Sequence, residues 1–289
     1  MCCGPSIRPR RVGLGPSDFS LLDAHFSFDE SYVERTVTPH SQLSVAVGIA
    51  PLPRCGPEDR IWPARQGPDV CFVGAYGEAR IRELRETLGR DDPQRLRLLD
   101  DLAENPGDPA SAFEAATGAT YRGSACAYVD EVRTMRRRSA VLAAIPKDKL
   151  RLFGSTEWSR AGPLAECYAG RTAHYGMDLA SLYFHSKINL NVFHAQCTDS
   201  TNSRVYDVLA AGGFLLSESR PCLDRELQVG LHLETFSTPT EAREKIAYFL
   251  QHEDEREAIA REGQRHVLAN HTFAHRCRRL LELVAPLIA

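Results

Sequence analysis

No apolar run in this 289-residue chain approaches the ~18 residues that a membrane-spanning helix needs. The longest candidates, 140–145 and 280–289, fall well short, so no membrane span is expected. A basic excess is also missing. Lys and Arg number 35 against 38 Asp and Glu, for a net charge of −3. A general nucleic-acid binder would more often be clearly basic, and nucleic acid is not expected as a partner. No C-x-x-C occurs, and the nine cysteines are odd in number and scattered. That excludes a disulfide framework or zinc ribbon and fits a reducing, cytoplasmic setting. The start, Met1-Cys2-Cys3-Gly4-Pro5, runs into Arg8, Arg10 and Arg11 with no apolar core behind them, so it does not read as a secretory leader. Gly (20) and Pro (17) are too few and too dispersed for a collagen-like or low-complexity chain. A G-x-S-x-G nucleophile elbow is absent. His271 and His275 stand at i, i+4, but no third ligand is evident, so no metal site is expected.

What is present is an alternation of short apolar runs and helical periods. Asp69-Val70-Cys71-Phe72-Val73-Gly74 is a continuous apolar run ending in glycine, the mark of a buried parallel strand. Further strands are expected at 149–153, 188–193, 213–217 and 232–236. Helices are expected at 78–88 and 203–211, through much of 93–144, and from 239 to about 284. Thr238-Pro239-Thr240-Glu241 carries a capping-box signature for the last of these. Ahead of a Pro- and Gly-punctuated linker ending near Gly67-Pro68, single strands are expected within 19–28 and 43–52. The pattern predicts an α/β chain. Residues 1–65 form a front segment and linker, and residues 66–289 a doubly wound parallel, Rossmann-like domain.

In an open parallel sheet, ligands bind beyond the carboxyl ends of the strands. Two loops there carry candidate chemistry. In the first, Gly74 and Gly77 let the backbone approach a phosphate at a helix N-terminus, with Arg80 in the first turn to add charge. The two glycines could equally do no more than shape a turn. In the second, Ser200, Thr201 and Asn202 open a helix, and Asp199 and Asp207 are separated by seven residues. One carboxylate in a loop and one on a helix can accept hydrogen bonds from sugar and ribose hydroxyls. By spacing alone, a turn cap at Asp199 and a solvated helix residue at Asp207 is the simpler reading. Arg133, Arg136, Arg137 and Arg138 read as a solvated helical face.

Tyr183–Leu216 resembles the C-terminal domain of CgeB-type (spore maturation protein-like) glycosyltransferases, through Ile188-Asn189-Leu190-Asn191 and Ser203-Arg204-Val205-Tyr206-Asp207 with Gly212-Gly213. Asp69–Gly74 with Arg80, Leu150–Gly154 with Trp158, and His271-Thr272-Phe273 with Arg276 resemble further segments of that family in the same order. The resemblance covers about residues 69–289 and implies a GT-B-like fold with a truncated N-terminal, acceptor-side domain. It implies transfer of a sugar from a nucleotide-sugar donor, UDP-linked by expectation, to an unknown acceptor, without a bound cofactor. The alternative is a non-catalytic nucleotide-sugar-binding remnant of such an enzyme. The family's paired glutamates fall on Asp199, implied to reach the sugar, and Asp207, implied to hold the ribose. Lys187, Arg204 and Arg80 are implied to face the diphosphate, together with backbone N–H groups near Gly74, Gly77 and residues 200–203. With the first domain short, apolar residues of the last helices, Val267, Leu280 and Leu283, are expected to lack cover and to favour a partner or a homodimer.

Overall fold

The structure, a computed structural model, describes residues 25–27, 44–46 and 67–288, apart from 106, 198 and 199. β1 (His25–Ser27) and β2 (Ser44–Ala46) pair in parallel, with Phe26 opposite Val45. Both fall where strands are expected.

The main sheet contains β3 (Val70–Val73), β4 (Leu150–Phe153), β5 (Ile188–Asn191), β6 (Leu215–Glu218) and β7 (Glu234–Phe236), in the order β4-β3-β5-β6-β7. Every pair is parallel, with Val70 opposite both Leu150 and Ile188. Tyr168 adds a one-residue parallel bridge outside Leu152. In chain order this is the 3-2-1-4-5-6 Rossmann arrangement with its third strand reduced to a bridge. The order reverses between β3 and β5, and ligands bind at such a switch point.

Val70, Cys71, Phe72, Leu150, Leu152, Ile188, Leu190, Leu215 and Leu216 are apolar and buried because both faces of the sheet are covered. Alternate residues serve two cores. Val70, Phe72, Leu150 and Leu152 pack with Leu142, Trp158 and Phe249 on one side. Cys71 and Phe153 pack with Leu179, Val205, Leu209 and Val267 on the other.

Four helices connect β3 to β4: α1 (Glu78–Asp91), α2 (Pro93–Glu104), α3 (Pro109–Thr117) and α4 (Ser124–Ala143). Asp92 and Asp108 cap α2 and α3, each accepting two backbone N–H bonds ahead of a proline at the first helical position. These helices close a third core around Leu99, Phe113 and Tyr128. The long α4 then runs back to the sheet, placing Val141 and Leu142 against β3 and β4. The remaining helices are α5 (Met177–His185), α6 (Ser203–Ala210), the single turn α7 (Leu223–Glu226), α8 (Pro239–Gln251), α9 (Glu253–Asn270) and α10 (Phe273–Ile288). Thr238 caps α8 by accepting the Glu241 N–H, and Glu241 Oε2 accepts the Ser237 N–H in return.

One expectation about the final helices is corrected. Val267 is fully buried, because α9 packs on α6 and carries that residue into the core. Leu280 is half-buried, and the side chain of Leu283 lies outside the described residues. Among the described residues, the large apolar side chains exposed on α10 are instead Phe273 and Leu281.

Candidate functional site

At the switch point, β3 and β5 end side by side and α6 starts above them. Arg204, in the first turn of α6, spans the junction. Its Nη2 donates to Val73 O (2.5 Å) and its Nη1 to Asn191 Oδ1 (2.8 Å). Asn191 is fully buried and donates to Ser217 Oγ (3.0 Å), which joins the end of β6 to the same set. Asn202 caps α6, accepting the Val205 N–H, and donates to Asn191 Oδ1 (2.9 Å). One asparagine side chain therefore fixes both the helix start and the guanidinium.

A second guanidinium lies beside the first. Arg138 donates to Ala75 O, just past β3. The Arg138 and Arg204 guanidinium carbons lie 5.3 and 5.5 Å from the centre of the Phe72 ring. Burial, followed by the neighbouring Arg204 charge, pulls the Arg138 pKa down to about 10. The Nε atoms of both arginines are shielded from water and have no hydrogen-bond partner among the described residues. Two guanidiniums beside one ring, each charge felt by the other, concentrate positive charge at the switch point.

α4 contributes more than Arg138. Glu131 Oε2 lies 3.3 Å from His194 Nε2, and Thr134 Oγ1 accepts the Ala195 N–H (2.8 Å). Arg137 Nη2 donates to Phe193 O (2.9 Å). The solvated helical face expected for this stretch is thus corrected for Arg137 and Arg138. Of the other two, Arg133 reaches back to carbonyls at the end of α2, including Leu102 O (2.6 Å), and Arg136 pairs with Glu104. A sequence signal did exist. Glu131, Thr134 and Arg138 follow one another at i, i+3 and i+7, a polar stripe beside the apolar one. Nothing in the sequence said that this stripe faced strand ends rather than water.

The structure does not bring all predicted site residues together. Lys187 precedes β5, so it stands at the amino edge of the sheet, opposite the switch point. There its Nζ pairs with Asp69 (2.6 Å), which Lys149 also contacts (3.1 Å). Burial opposes ionisation of Asp69, but the two lysines together hold its carboxyl below the ordinary range. Lys187 is therefore removed from the diphosphate set by strand direction alone. Arg80 is exposed and pairs with Glu83 (2.7 Å). The N-terminus of α1 already holds an internal carboxylate: Glu157 Oε1 accepts the Ala79 N–H (2.5 Å), and Ser155 links Glu157 to the Tyr76 N–H. This anion competes with any phosphate expected there. Gly77 takes φ 95° at the start of α1, a turn role that glycine fills without strain. Gly74 accepts the Trp158 indole N–H on its carbonyl (2.7 Å), and a Cβ at Gly74 would stand 3.5 Å from Arg204 Nη2.

Asp207 is buried on α6, which overturns the solvated-helix reading. Tyr183, fully enclosed beneath it, has its hydroxyl pKa raised, chiefly by burial. The Arg204 charge, with a hydrogen bond from the same residue, opposes that shift, and the Asp207 charge adds to it. Ser200 and Thr201 are also buried. Thr201 Oγ1 meets Tyr206 Oη (2.9 Å), and Tyr206 donates onward to Glu226. Arg276 of α10 pairs with Glu226 (3.1 Å) and donates to His271 Nδ1 (2.9 Å). The loop before α6 is thereby tied to the last helix. Burial pulls the His271 pKa down to about 4. Asp199 lies outside the described residues. Among the described residues, no group of three or more His, Cys, Asp or Glu is placed to hold a metal ion, and no helix is long and apolar enough to cross a membrane. A separate hollow of about 580 Å³ flanks the edge strand β4, lined by Asp69, Lys149, Arg151 and Arg171, away from the switch point.

The sequence profile of a family described as glycosyl transferase-like matches residues 133–282, just over half of the chain. No curated protein matches the chain. Among solved structures, sucrose-phosphate synthase from Thermosynechococcus elongatus is similar at 12% identity and a TM-score of 0.53, over 96% of this chain and 61% of that one. The Anabaena HepE structure, solved with UDP and glucose, is similar at 10% identity and a TM-score of 0.49, over 91% of this chain and 63% of that one. The likeness to the synthase is one of fold, and this chain spans about three-fifths of the synthase's length. The fold class read from the sequence, a GT-B-like doubly wound parallel sheet, agrees with it.

Proposed function

The chain belongs to the glycosyl transferase-like family, and we propose that it transfers a sugar from a nucleoside-diphosphate sugar, with the diphosphate held at the β3–β5 switch point. The observation that carries this reading is the Arg138–Arg204 pair, both guanidiniums beside the Phe72 ring at the reversal of strand order. Cleavage of the sugar–phosphate bond leaves charge on the departing diphosphate. Two guanidiniums fixed in advance by Val73, Ala75 and Asn191 stabilise that charge without reorganising. They also supply the positive charge that a metal ion would otherwise bring. Asp207 accepts the ribose hydroxyls, and the resemblance to CgeB-type enzymes assigns the sugar to Asp199. In this reading residues 1–65 belong to the acceptor side, and UDP is the expected nucleotide.

Titration calorimetry with nucleoside diphosphates and their sugars tests the donor site, and release of UDP from UDP-sugars tests transfer. Binding without turnover would favour a nucleotide-sugar-binding protein over an enzyme. No binding of any nucleoside diphosphate at millimolar concentration would overturn both.

A further inference from the structure

A second guanidinium pair stands one strand away from the first. Glu218 ends β6 and is nearly buried. Its Oε2 accepts the Phe193 N–H (3.0 Å), and its Oε1 lies 3.2 Å from Arg137 Nε and 3.4 Å from Arg220 Nη2. Arg137 also donates to Phe193 O, and the Arg220 guanidinium lies 5.8 Å from the centre of the Phe193 ring. Two cations are therefore held by one carboxylate and one aromatic residue, so that among the described residues one positive charge has no counter-charge paired with it. Both side chains are partly open to water, that of Arg137 33% exposed and that of Arg220 22%. The Arg220 Nε is shielded and has no hydrogen-bond partner among the described residues. Burial is the main cause that lowers the Arg137 pKa; Glu218 opposes the shift and Arg220 adds to it.

This pair is distinct from the one on Phe72. Arg137 and Arg138 are consecutive on α4, so about 100° of helix rotation separates them. Arg138 goes to the end of β3 and Arg137 to the end of β5. A neutral sugar hydroxyl would leave the excess charge uncompensated, whereas an oxyanion would match it. We infer that Arg137 and Arg220, set in place by Glu218, form a second anion subsite that binds a carboxylate or phosphate carried by the substrates in addition to the donor's diphosphate. This rests on the donor-site reading above. The anion belongs either to the donor sugar or to the acceptor.

Calorimetry on the full chain separates the sources. One arm compares UDP-glucuronate with UDP-glucose. The other titrates the UDP-loaded protein with glucose 6-phosphate and with glucose. In one arm the charged ligand is expected to bind at least about tenfold tighter than its neutral counterpart, the scale of one charge-assisted hydrogen bond. In Arg220→Gln, and independently in Arg137→Gln, that preference is expected to fall below about twofold while the affinity for UDP alone stays within about twofold. Equal binding of charged and neutral ligands in both arms overturns the inference. So does an Arg220→Gln variant that loses UDP as strongly as the charged ligand, since the pair would then serve the diphosphate. Failure of the unaltered protein to bind UDP would instead overturn the donor site itself, and this subsite with it.

Discussion

Replacing Arg204 probes the switch point from two directions. Arg204→Ala removes the bonds to Val73 O and Asn191 Oδ1, at 2.5 and 2.8 Å. Each charge-assisted bond contributes roughly 1.5–3 kcal/mol net. The loss is partly offset, because the substitution also removes the repulsion between Arg204 and Arg138. A net destabilisation of about 2–4 kcal/mol follows, or about 4–15 °C in melting temperature for a domain of this size. UDP affinity should fall at least about tenfold, the scale of one charged contact. Arg204→Lys sharpens the test. It keeps the charge but cannot reach two acceptors at once, because an ammonium is not a planar fork. Its UDP affinity should lie between those of the unaltered protein and Arg204→Ala, while most of the stability loss remains. Lys187→Ala serves as the control, since Lys187 pairs with Asp69 at the opposite edge of the sheet. Calorimetry with UDP and thermal melts at fixed ionic strength supply both readouts. A folded Arg204→Ala protein with unchanged UDP affinity, or a Lys187→Ala protein weakened as much as Arg204→Ala, would refute the reasoning.

The other predictions follow from single contacts. Asp207→Asn should weaken UDP binding by roughly 1.5–3 kcal/mol by removing a charged acceptor from the ribose; calorimetry showing no change in a folded variant would return Asp207 to a purely structural role. Gly154→Ala should destabilise the fold by about 2–4 kcal/mol in denaturant melts, since φ is +148° there and a Cβ would stand 2.0 Å from Gly74 O. His271 has its pKa lowered to about 4, so the unfolded chain takes up its proton first as pH falls. Its contribution is complete above about pH 6.5 and is lost as pH drops towards 4, by at most about 3 kcal/mol. His271→Gln should therefore flatten the melting temperature across that window, and an equally steep profile in the variant would exclude His271 as the cause.

The sheet was legible where a buried parallel strand is a continuous apolar run, as Val70–Val73 is; β5 instead carries two buried asparagines, Asn189 and Asn191, whose amides donate to Tyr183 O and Ser217 Oγ. The helices between β3 and β4 were legible from their periodicity, and in the structure Pro93 and Pro109 stand as the first residues of α2 and α3. The site was read less well, because spacing along the chain does not report which end of a strand a residue occupies. Lys187 and Arg204 are both basic residues near β5, yet one precedes the strand and the other follows it on α6, a sheet's depth apart. Arg138 was hidden for the complementary reason. A charged residue on a long helix looks solvated until the helix is known to end on the sheet. The place of Glu157 at the start of α1 depends on a contact between residues 78 positions apart, which no local pattern announces.

A crystal structure of the protein grown with UDP tests the central claim most directly. The account predicts diphosphate density beyond Val73 and Asn191, within hydrogen-bonding reach of Arg138 and Arg204, and ribose density at Asp207. Density in the hollow beside β4, at Lys149 and Arg171, with the switch point empty, would contradict it.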